Sequence, residues 1–64
     1  MFTAIVYDRT TDKEFAKHDD VIGYDTYGAT KDGPVFQLVL ENRKIVYYLK
    51  SKYEVWVNDF HCLH

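Results

Sequence analysis

A chain of 64 residues with a formal net charge of −2 and a single cysteine, Cys62, has room for one small hydrophobic core and for no internal disulfide. Ten acids against eight bases fall short of the basic footprint that phosphate binding requires, so nucleic acid is disfavoured as a partner. No positively charged leader precedes a long apolar core, and no apolar run approaches the roughly 20 residues that cross a bilayer, which points to a cytoplasmic protein without a membrane partner.

Seven Val, three Ile, five Thr and eleven aromatic residues favour strands almost everywhere, because these side chains suit a pleated, half-buried surface. Phe2 to Asp8 read as a first strand, and Arg9-Thr10-Thr11-Asp12-Lys13 as a polar turn into a short second strand over Glu14 to Lys17. Asp19-Asp20 is expected to break the pattern before a further strand from Val21 to Tyr27, in which Gly23 marks a bulge or bend. Gly28 to Pro34, ending in Asp-Gly-Pro, is the strongest loop signal. Without repeats or low-complexity tracts, residues 1–64 read as a single domain.

The second half constrains its own register. If Asn42-Arg43 is a two-residue turn, Leu40, Leu38 and Phe36 pair with Ile45, Tyr47 and Leu49 on one face, and Glu41 opposes Lys44. A three-residue connection at Lys50-Ser51-Lys52 then sets Tyr53, Val55 and Val57 beside Leu49, Tyr47 and Ile45; a two-residue connection would turn Trp56 inward instead. With three residues, the opposite face places Val39, Val46 and Trp56 in a row, with Tyr48 and Gln37 beside them. Such a sheet hides one apolar face beneath the N-terminal half and leaves the other to be covered from outside. Asp59 caps a single C-terminal helical turn over Phe60 to His64 in this reading.

Little in the chain points to catalysis or cofactors. His61-Cys62-Leu63-His64 and His18 are metal-ligand types, but a terminal cluster needs a further ligand from the fold, so no metal is assigned. Asp8, Asp12, Glu14, Asp19, Asp20 and Asp25 lack calcium-loop spacing, and the Gly-x-x-x-x-Gly runs from Gly23 and Gly28 lack the Lys-Ser/Thr of a phosphate loop. No catalytic residue is assigned and no cofactor is expected. The aromatics carry more weight, since they anchor interfaces by burying area at low entropic cost.

Ala4-Ile5-Val6-Tyr7-Asp8, followed by an acid-containing turn and Phe15, resembles the opening of a eukaryotic SH3 domain over about 20 residues, and the chain length agrees. The tandem tryptophans and late Pro-x-x-Tyr of that family are absent, because Pro34 and Trp56 are alone of their types. The resemblance implies an SH3-like architecture without its peptide groove. The expected fold is therefore all-β: five or six short antiparallel strands in a curled sheet or a partly open SH3-like barrel. The expected function is non-catalytic protein binding, as adaptor or inhibitor, with Val39, Val46, Tyr48, Trp56 and Gln37 docking another protein or a second copy. Small acidic proteins of this kind are often encoded by phages and mobile elements, an association no residue here carries. The alternative is a small nucleic-acid-binding barrel using Tyr48, Trp56 and the late lysines. An enzyme ranks third.

Overall fold

The computed structural model describes residues 1–58 and 61–64. Strands β1 (Phe2–Asp8), β2 (Glu14–Thr30), β3 (Gly33–Leu40), β4 (Ile45–Leu49), β5 (Tyr53–Val57) and β6 (His61–Cys62) form one antiparallel sheet in the order β4-β3-β2-β1-β5-β6. The sheet does not close into a barrel. The all-β class expected from composition is the class found, and no helix occurs among the described residues. None is therefore long and apolar enough to cross a membrane.

The turn at Arg9 to Lys13 falls where the polar run placed it. The Asp8 carboxylate accepts from the backbone N–H groups of Thr10 (2.7 Å) and Thr11 (3.2 Å), Asp12 N–H donates to Asp8 C=O, and Asp12 takes a φ of 59°. This short-range capture by an aspartate is a local turn device. Beyond the turn, β2 runs for 17 residues straight through Asp19-Asp20, so the expected break is absent. Register shifts take its place: two on the β1 side, at Phe2/Ala4 and Val6/Tyr7, and two on the β3 side, at Val21/Gly23 and Asp25/Gly28. Each extra residue bends and twists the strand, so one strand serves two ladders: β1 along its first half and β3 along its second. Gly23 lies at such a shift, as its residue type suggested. The loop foreseen over Gly28 to Pro34 shrinks to Lys31-Asp32, because Gly33, at φ 122°, makes the tight turn and Pro34 already pairs with Ala29.

Ala4, Val6, Val21, Phe36, Leu38, Leu40, Val55, Val57 and Leu63 form the core, with Phe2, Ala16, Val46, Tyr48 and Tyr53 packed against it. Leu63 comes from the tail, where a helical turn was expected. Instead His61 and Cys62 pair with Val57 and Trp56, and Leu63 N–H donates to Val55 C=O at 2.8 Å. An extended tail wins because it carries Leu63 into the core, where it is 3% exposed. The proposed cap Asp59, and Phe60, lie outside the described residues.

Two further differences decide which side chains face solvent. The β3–β4 connection is the three-residue loop Glu41-Asn42-Arg43: Leu40 N–H donates to Lys44 C=O, Arg43 N–H to Leu40 C=O, and Arg43 sits at φ 67°. Val39 therefore pairs with Ile45, Leu38 with Val46 and Phe36 with Tyr48, one residue away from the expected register. A two-residue hairpin turn of the favoured type needs positive φ at both positions and prefers Gly second, whereas the longer loop asks it of Arg43 alone. The second difference is topological. Lys50-Ser51-Lys52 does join β4 to β5 with three residues, but β5 pairs with β1 and not with β4. Arg9 secures that return: its Nε donates to the carbonyls of Lys50 (2.8 Å) and Tyr53 (3.0 Å), and its backbone N–H to Lys52 C=O. Tyr53, Val55 and Val57 still face the core as foreseen, packed now beside β1.

Candidate functional site

Because the side-chain period of a strand is two, the one-residue difference in β4 exchanges its faces. Val46 and Tyr48, two of the residues expected on the docking face, turn inward against the core. Ile45 and Tyr47 take their place outside, 42% and 57% exposed. They stand directly opposite Val39 and Gln37, so the outer face of β3 and β4 carries Val39, Gln37, Ile45 and Tyr47, with the buried Val35 opposite Leu49 at its far end. An outward apolar face therefore exists, and Gln37 and Val39 belong to it. Trp56 does not, because β5 lies on the other side of β1. The row Val39, Val46, Trp56 is not formed.

The same strand is an edge. Leu40 N–H bonds Lys44 C=O and Lys50 N–H bonds Pro34 C=O, so the even-numbered residues of β4 spend their backbone groups on β3. The odd-numbered ones direct theirs the other way. The N–H and C=O of Ile45 and Tyr47, and the N–H of Leu49, thus face a side where no strand pairs among the described residues; Leu49 C=O accepts from Lys52. Ile45–Leu49 (Ile-Val-Tyr-Tyr-Leu) contains no charge, proline or bulge, the usual devices that blunt an edge. Lys44 and Lys50 bracket it. The opposite edge, β6, is two residues long.

Tyr48, inside, belongs to an aromatic cluster. Its hydroxyl is 2.7 Å from His18 Nε2, and its ring meets Tyr53 edge-on at 5.4 Å and Phe15 at 6.3 Å. Burial first, and the neighbouring Tyr53 second, push the Tyr48 hydroxyl above the usual tyrosine pKa. Trp56 stands apart on the outer face of β1 and β5, where Ile5 opposes it and its indole N–H donates to a Glu54 oxygen at 2.5 Å. Tyr48 and Trp56 thus lie on opposite faces of the sheet and are not a stacking pair.

In the chemically suggestive tail His61 and His64 are exposed. Cys62 is half-buried beside Trp56, and burial, then Glu54, push its thiol above the ordinary range against the opposing pull of Arg9. Among the described residues no group of three His, Cys, Asp or Glu side chains is placed to hold a metal ion. Exposed Ile45 and Tyr47, which the sequence reading put inside, are the surface residues it missed. The poor fit of Arg43 to a two-residue turn was the available signal.

Comparison with protein-family models, with curated proteins and with solved structures finds no match to this chain.

Proposed function

We propose that this protein is a non-catalytic binding domain that adds an extended segment of a partner protein to the β4 edge. The observation that carries the reading is the coincidence on one strand of backbone groups without a partner among the described residues, the N–H and C=O of Ile45 and Tyr47 and the N–H of Leu49, with the exposed apolar side chains of Ile45 and Tyr47. Backbone hydrogen bonds would supply affinity, and the Val39, Gln37, Ile45 and Tyr47 face would read alternate side chains of the incoming strand. Charge favours a foreign segment with acidic ends over a second copy. The two-fold pairing that uses all of β4, centred on Tyr47, sets Lys44 against Lys50 twice, and like charges directly opposite are destabilising. The return of β5 to β1 after a four-strand meander also supports an SH3-like, open small barrel.

The test is selection of a random peptide library on the domain. Enriched peptides should alternate apolar residues, end in Asp or Glu, and lose binding to Tyr47→Pro, which removes the outward N–H and the exposed Tyr47 ring while sparing the hydrogen bonds of the β3 ladder. Peptides that bind Tyr47→Pro equally well would refute the reading. A dimer in light scattering that Tyr47→Pro dissociates would replace the foreign segment by a second copy.

A further inference from the structure

On the outer face of β1 and β5, Tyr7, Trp56, Glu54 and Asp12 line an open cleft of about 350 Å³. Tyr7 and Glu54 are directly opposed in the ladder, Trp56 follows two residues on, and the Arg9–Lys13 turn brings Asp12 to the rim. Phe2, Phe15, Tyr24, Tyr48 and Tyr53 all pack ring against ring, whereas neither Tyr7 nor Trp56 has an aromatic neighbour among the described residues. Among the described residues no cation lies over either ring; Lys50 is over Phe36 instead. The two carboxylates differ in what they already hold. Glu54 accepts from the Trp56 indole and pairs with Arg9 at 3.4 Å, which fixes the wall. The Asp12 carboxylate has no hydrogen bond or ion pair among the described residues. With Arg9 counted, the cleft keeps a net charge of −1.

Two rings without an aromatic or cationic partner, and a carboxylate without one, among the described residues around a solvent-open cleft are the complement of a flat organic cation. A guanidinium fits better than an ammonium, because it stacks on an indole through its plane while its edge donates two parallel hydrogen bonds to one carboxylate. We propose that this cleft binds an arginine side chain of a partner protein, stacked against Trp56 and Tyr7 and paired with Asp12. The site is independent of the β4 edge, so either can fail alone.

Trp56 is the only tryptophan, so its fluorescence reports the cleft directly. Titration with N-acetyl-arginine amide should change that fluorescence in the millimolar range, and N-acetyl-citrulline amide, the uncharged isostere, should not. Asp12→Asn should weaken the arginine response by about two- to fivefold, the worth of an exposed ion pair. That variant keeps the fold, checked by circular dichroism, because asparagine tolerates the positive φ at this position. Equal responses to arginine and citrulline, or an unchanged response in Asp12→Asn, would overturn the proposal. Tetramethylammonium binding as tightly as the arginine derivative would also overturn it, since that result marks a purely aromatic site for quaternary ammonium ligands.

Discussion

Replacing Asn42 and Arg43 singly by glycine distinguishes the three-residue hairpin loop from a two-residue one, and with it the face that Ile45 and Tyr47 present. Arg43 is exposed and sits at φ 67°, where a side chain with a Cβ costs about 1–2 kcal/mol. Glycine removes that strain but returns about 0.5–1 kcal/mol of backbone entropy to the unfolded chain. Arg43→Gly should therefore stabilise by about 0.5–1 kcal/mol, a rise of a few degrees in melting temperature for a domain of this size. Asn42 has no positive φ, and its side-chain oxygen accepts from Lys44 N–H at 2.9 Å. Asn42→Gly loses that exposed hydrogen bond and adds unfolded-state entropy, a destabilisation of about 1 kcal/mol. Thermal unfolding followed by circular dichroism reads both. In a two-residue turn both positions would have positive φ and glycine would be tolerated at each. Stabilisation by both substitutions would thus refute the register and return Ile45 and Tyr47 to the core.

Leu38, fully buried at the centre of β3, should cost about 2–5 kcal/mol when cut to alanine. A chain of 64 residues has only about 3–10 kcal/mol in total, so urea denaturation should show Leu38→Ala with roughly half of its stability gone and its midpoint lowered accordingly. Because the folded pKa of Tyr48 is raised, its stabilising contribution is complete below pH 10.0 and is lost as pH rises through the folded value. Stability measured from pH 8 to 11 should fall at the alkaline end, and Tyr48→Phe should flatten the tyrosine part of the fall; an unchanged profile would exclude Tyr48 as its source. The raised thiol pKa of Cys62 predicts slow reaction with an aromatic disulfide reagent at pH 7.5, accelerating to the free-thiol rate in denaturant. Reaction at the free-thiol rate in the native protein would contradict the docked tail.

Local chemistry was legible where it decided the outcome locally. The strand class, the Arg9–Lys13 turn, the bulge at Gly23 and the inward facing of Val55 and Val57 all follow from residue type and alternation. What escaped depends on partners far away in the chain. Asp19-Asp20 looks like a break because two adjacent acids suit turns, yet a bulged strand absorbs them while pairing with two neighbours in succession. The return of β5 to β1 rests on Arg9 reaching the Lys50 and Tyr53 carbonyls, contacts more than 40 residues apart in sequence that no window of residues displays. The candidate surface was half visible. Gln37 and Val39 were placed on an outward apolar face, but a single residue of loop length exchanged Val46 and Tyr48 for Ile45 and Tyr47, and the topology carried Trp56 away to a cleft of its own.

Amide hydrogen exchange along β4 tests the open edge most directly. In the free protein at low concentration, the amides of Val46 and Tyr48, bonded to β3, should be protected, while those of Ile45 and Tyr47 should exchange nearly as in an unstructured chain. Protection of Ile45 and Tyr47 with fast exchange at Val46 and Tyr48, or equal protection of all four, would contradict the edge and the docking surface built on it.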